Sequence, residues 1–145
     1  MTFKQLILAS IIACGAATTA NAADKVHNYD FNQAVARAVA DGTLDGSVKF
    51  YLHGASPRAS KVLQRDIVTN QKTNGFAKDA STSCDWVLRS ALKQLEKAAK
   101  ANGGNAVINI TSYFKKNERR SATTYECHKG MAVASVALKG DIVKR

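Results

Sequence analysis

From residue 83 to residue 102 the apolar positions recur every three or four residues: Val87 and Leu88, Ala91 and Leu92, Leu95, then Ala98 and Ala99. That spacing gathers them on one side of a helix. Ser83 or Thr82 supplies the N-cap, Asp85 suits the positive end of the helix dipole, and Lys97 and Lys100 suit the negative end. Asp85–Arg89 and Glu96–Lys100 have the four-residue spacing of helical ion pairs, and Gly103-Gly104 ends the run. A shorter stripe of Phe31, Ala34, Val35, Ala38 and Val39 follows Asp30 and predicts a second helix, stopped by Gly42.

Elsewhere the period is two. In GSVKFYLHG, residues 46–54, Val48, Phe50 and Leu52 alternate with Lys49, Tyr51 and His53, which predicts a half-buried strand. Residues 61–72, with Val62, Ile67, Val68 and Thr69, predict a second strand that is bent or bulged. Residues 105–114 predict a third, and residues 123–139 a return strand that 141–144 extend. Between them the polar run KKNERRSA, 115–122, reads as a hairpin tip, while 55–60 with Pro57 and 73–82 read as connections. These elements predict an α+β domain of two layers, one long helix on a curved, mainly antiparallel sheet of about four strands, with a short N-terminal helix. Ala132, Ala134, Val136 and Leu138 are expected beneath the long helix, small enough to let it approach closely.

The first residues bear on compartment. Lys4, an apolar run at 6–17 and Ala20-Asn21-Ala22 read as a secretory signal peptide, too short to span a membrane. Ile11-Ile12-Ala13-Cys14 also resembles a lipobox, which would make Cys14 a lipidated first residue; the Ala-Asn-Ala site is preferred. The expected layout is a leader over 1–22, an N-terminal helical segment over 23–44 and the α+β domain over 45–145, in the periplasm. The chain has 21 Lys and Arg against 11 Asp and Glu, a net charge of +10. Inside a cell such an excess suggests nucleic acid. On an exported chain the expected partners are anionic envelope polymers, lipid head groups or an envelope protein, and no nucleic acid. Lys115, Lys116, Arg119 and Arg120 cluster just after Tyr113 and Phe114, a composition able to hold phosphate or sulfate; a solvated turn is the other reading of the same residues.

Cys127 and His128 are adjacent and raise three chemistries. Of the 3 cysteines, loss of Cys14 with the leader leaves Cys84 and Cys127. An even number in an oxidising compartment points to a disulfide. A nucleophilic Cys127 would need His128 as its base, yet neighbours on a strand point to opposite faces. Cys84, Cys127, His53 and His128 could supply zinc ligands on paper, without any ligand spacing that supports it. His27, His53 and His128 are therefore expected to have no catalytic or ligand role, with His128 at the surface or loosely packed. The sequence contains no phosphate-binding loop, no G-x-G-x-x-G and no G-x-S-x-G. No cofactor and no catalytic constellation is expected. The functional class that results is a non-catalytic binding or envelope-sensing module, with polymer binding through the basic tip or metal binding through histidines as the alternative.

GGNAVINITSYFKKN and TTYECHKGMAVASVALKG, with DGSVKFYLHG, KVLQRDIVTNQKTNGF and CDWVLRSALKQL, resemble small exported proteobacterial proteins that carry the label "excinuclease ATPase subunit". More broadly they resemble the YbjQ-like superfamily and the outer-membrane stress-sensor lipoprotein of the Rcs phosphorelay. The resemblance covers residues 44–144. It implies one long helix on a curved sheet, and a bond between a cysteine before the helix and one in the last hairpin, positions held here by Cys84 and Cys127. A second disulfide of the sensor has no counterpart, since Val133 stands at one of its positions. No nucleotide-binding loop or zinc-finger cysteines are present, so the excinuclease label implies no activity for these residues.

Overall fold

A computed structural model describes residues 24–59 and 61–145; the leader and Cys14 lie outside the described residues. Among the described residues the chain forms six strands, two helices and one 3-10 turn: β1 (Lys25–Asp30), α1 (Phe31–Ala40), β2 (Lys49–Leu52), β3 (Lys61–Asn74), α2 (Ala80–Ala101), β4 (Ala106–Ser112), the 3-10 turn Phe114–Lys116, β5 (Thr124–Lys129) and β6 (Val133–Lys144).

β6 organises the sheet. One of its edges pairs along its length with antiparallel β3. Its other edge is shared: β5 meets its first residues, His128 opposite Ser135, and β4 meets its last, Ala106 opposite Val143. β1 extends the sheet beyond β5 antiparallel, and β2 extends it beyond β4 in parallel. The result is a mixed sheet curled into a half-barrel. The curl has local causes. Registers shift between Gln64 and Ile67 in β3 and between Ile108 and Thr111 in β4. At these bulges Asp66 and Asn109 adopt positive φ, 55° and 52°, and bulges of this kind bend a strand and increase its twist. Between them Gly140 of β6 lets the backbones close up, since a Cβ there would sit 2.8 Å from Val107 Cγ1 and 3.2 Å from the Ile108 carbonyl.

Both helices pack on one face. Asp30 caps α1 as its sequence suggests, its carboxylate accepting from Gln33 N at 2.8 Å. Phe31, Ala34 and Ala38 are buried. α2 buries Val87, Leu88, Ala91, Leu92, Leu95 and Ala99 against Ala134, Val136, Leu138 and Ile142 of β6. Its two helical ion pairs form, Arg89 with Asp85 at 2.9 Å and Lys100 with Glu96 at 3.6 Å.

The expectation of one long helix on a mainly antiparallel sheet of about four strands, with a short N-terminal helix, is corrected: the fold is a mixed, half-barrel sheet of six strands carrying two helices, the N-terminal one included. β1 was hidden because residues 25–30 have little hydrophobic alternation: it is an edge strand, defined by backbone pairing with β5. The return strand over 123–139 is two strands joined by a tight turn, where Gly130 N donates to the Val133 carbonyl at 2.9 Å. Ala132 therefore lies exposed in a turn rather than under the helix. Residues 115–122 do not tip a hairpin of neighbouring strands, because β4 and β5 lie end to end along β6. α2 also starts earlier than Ser83. Asp79 is the N-cap, accepting from Thr82 N at 2.7 Å, and the buried stripe begins with Ser83 and Cys84, which a hydrophobic count overlooks.

Candidate binding face

Alternation along β6 sends Ala134, Val136 and Leu138 to the helices and leaves Val133, Ser135, Ala137 and Lys139 on the opposite face. Among the described residues no helix covers that face. The segment after β4 crosses it instead. Tyr113 N donates to the Ala137 carbonyl at 2.8 Å, and the chain then turns through Lys115 and Lys116, both left-handed, with φ of 51° and 64°. For residues bearing a Cβ this conformation is uncommon and costs roughly 1–2 kcal/mol each.

The aromatic residues ahead of the lysines hold the turn. Phe114 stacks on His128 with ring centroids 3.6 Å apart and 17° between planes. Lys115 Nζ lies 5.4 Å from the Phe114 centroid, and Lys139 Nζ lies 4.8 Å from that of Tyr113, both within cation–π range. His128 Nε2 meets Glu126 Oε1 at 2.5 Å, and Glu126 N donates to Ser112 Oγ at 2.9 Å, tying β5 to the end of β4.

Two concavities result. A groove of about 890 Å³ is floored by Val68, Asn70, Val133 and Ser135 and walled by Tyr113, Phe114, Lys115 and Lys116, with Asp24 and Lys72 at its margin. A smaller polar cleft of about 280 Å³ gathers His53, Asp66, Asn109, Glu118, Arg120, Lys139, Gly140 and Asp141. In the cleft, Asp141 is buried and accepts from Asp66 N at 3.0 Å and Asn109 Nδ2 at 3.2 Å, so one carboxylate braces both bulges. Glu118 is held below the usual carboxylate range, first by its hydrogen bond from Lys139, with Arg120 adding to the effect.

The residues singled out in the sequence separate here. Lys115 and Lys116 line the groove. Arg120 lines the cleft and pairs with Glu118 at 3.6 Å. Arg119 is exposed, lines neither cavity, and serves the fold through its backbone bridge to Ser112. Cys84 and Cys127 form a disulfide, Cα atoms 5.9 Å apart and both fully buried, joining α2 to β5. They are thereby removed from the four-ligand set, and among the described residues no three His, Cys, Asp or Glu side chains converge on a metal-sized site. His128 does lie on the face opposite Cys127, but it is buried beneath Phe114 rather than loosely packed at the surface. His27 stacks on Tyr29 at 5.9 Å. The sequence reading missed the Phe114–His128 stack and the bracing role of Asp141. The run Tyr113-Phe114-Lys115-Lys116, aromatic then cationic, was the available signal for the groove.

Among the described residues no helix is long and apolar enough to cross a membrane. Compared with protein-family models, curated proteins and solved structures, the chain has no significant match.

Proposed function

We propose that the protein is a non-catalytic binding module of the periplasm, and that its helix-free face binds an anionic polymer of the envelope. One observation carries the reading. The groove is walled by two aromatic rings and two lysines whose strained backbone is held in place by the Phe114–His128 stack. Strain concentrated at charged groups beside a groove is a mark of a functional surface. Among the described residues Lys115 and Lys116 have no carboxylate partner within salt-bridge distance, so their ammonium groups can meet phosphate or sulfate while the rings offer apolar faces to the polymer backbone. Export is supported by the leader read in the sequence and by a buried disulfide, which suits an oxidising compartment.

Retention on immobilised heparin or lipopolysaccharide over a rising salt gradient tests it. Lys115→Ala/Lys116→Ala should elute at clearly lower salt than Lys61→Ala/Lys97→Ala, which removes the same charge from exposed positions elsewhere. Co-elution of the two double variants would reduce the interaction to net charge and reject the groove.

A further inference from the structure

On the helix side of the molecule, Trp86, the chain's single tryptophan, is 64% exposed. It forms a wall common to two depressions. One, of about 210 Å³, lies at the start of α2 and is completed by Thr73, Asn74, Lys78, Thr82 and Ser83. The other, of about 200 Å³, lies further along the helix among Thr43, Arg89, Ser90 and Lys93. Positions 82, 86, 90 and 93 follow one another at spacings of three or four on α2, with 89 beside them, three from 86 and four from 93, so they form one line along its surface.

The first depression contains an unmet demand. Ser83 Oγ is, among the described residues, the one buried side-chain polar atom without a hydrogen-bond partner, on a residue 1% exposed. Such groups are rare in folded proteins and call for a reason. The neighbouring groups are only partly engaged. Asn74 Oδ1 accepts from Phe76 N at 3.0 Å, which leaves the amide NH₂ to donate. Lys78 and Lys93 make no salt bridge among the described residues; Lys93 has the Thr43 carbonyl at 3.5 Å. Arg89, by contrast, is held by Asp41 and Asp85. The helix end offers no empty cap for an anion, since Asp79 already fills it.

We infer that these paired depressions bind an acidic oligosaccharide, with linked sugar rings on either side of Trp86. A pyranose has an apolar C–H face that suits the indole and a rim of hydroxyls that both donate and accept. The lining matches that chemistry: an exposed indole, threonine and serine hydroxyls, a free amide NH₂, and ammonium groups for carboxylate or sulfate substituents. The two depressions share one wall, so a chain of two or more rings gains from both where a single ring gains from one.

Because Trp86 is the sole tryptophan, its emission reports on this site alone. The protein is titrated with tri-galacturonate while emission is followed, with calorimetry for the variant that lacks the indole. A saturable emission change is expected. Binding should weaken at least about tenfold in Trp86→Ala and about five- to tenfold in Ser83→Ala, which loses one hydrogen bond to the ligand. Lys115→Ala/Lys116→Ala, on the other face, should leave the titration unchanged, so this test stands or falls separately from that of the groove. A thermal melt establishes that each variant is folded. An absent emission change, equal binding of maltotriose or of tri-glutamate, or parental affinity in Ser83→Ala would each overturn the inference.

Discussion

Ser83 illustrates how one side chain can be assigned a purpose by what it lacks. Its hydroxyl is buried without a partner among the described residues, an arrangement that costs free energy. Ser83→Ala should therefore stabilise the protein by about 1 kcal/mol in urea denaturation while weakening the proposed saccharide contact, the usual opposition between stability and a binding site. A loss of stability of similar size would mean that the hydroxyl is satisfied in solution. At this scale the sequence was most legible for the cysteines, whose parity and expected compartment pointed to the bond that is present. It was least legible for His128. Its burial depends on Phe114, which stacks on it just ahead of the left-handed turn at Lys115 and Lys116, and side-chain type alone does not announce that conformation in lysine.

The elements are joined by a few polar links whose titration can be followed. Asp45, in the connection from α1 to β2, pairs with Lys100 in the last turn of α2. The hydrogen bond from Lys100 holds its carboxyl well below the usual carboxylate range, with Ser47 contributing. The unfolded chain therefore takes up a proton on Asp45 at higher pH than the folded one does. The contribution of the pair is complete above the ordinary carboxylate pKa of about 3.9 and is lost as pH falls below it. Asp45→Asn should flatten the decline of Tm between about pH 4 and pH 2, and a decline as steep as the parent's would exclude the pair as a source of acid lability. The contact of β6 with β4 makes a different demand. Gly140→Ala places a methyl group within 3.0 Å of both Val107 and Ile110 side-chain atoms, and overpacking of this kind should cost about 1–3 kcal/mol in chemical denaturation. Helices were readable as elements because a stripe that repeats over successive turns survives a local exception, such as the polar Ser83 on the buried side of α2. β1 was not, because an edge strand is specified by its partner's backbone, and the β5–β6 turn was missed because the apolar Met131 and Ala132 continue the run, leaving Gly130 as the one sign of a break.

Taken as a whole, the molecule is a curled sheet with its helices on one face and the groove beside Lys115 and Lys116 on the other, and the disulfide lies in the layer between helix and sheet. Cys84 is near the start of α2 and Cys127 is in β5, 43 residues apart in sequence. The loop they close contains the rest of α2, all of β4 and the turn carrying Lys115 and Lys116. Crosslinking a loop of that length restricts the unfolded chain by about 4 kcal/mol on the chain-entropy account, a large share of the total stability of a domain of this size. Cys84→Ala/Cys127→Ala should therefore lower the unfolding free energy by roughly 2–5 kcal/mol. The loss should arise mainly in the unfolded state, so the double variant should keep the parent's tryptophan emission and its polyanion retention under conditions where it is folded. Thiol labelling of the denatured, unreduced protein isolated from the cells that make it supplies the direct check. No reactive thiol from Cys84 or Cys127 is the expected result. Two per chain would show that the bond does not form in the cell, and would remove both this increment of stability and the main structural support for an oxidising compartment.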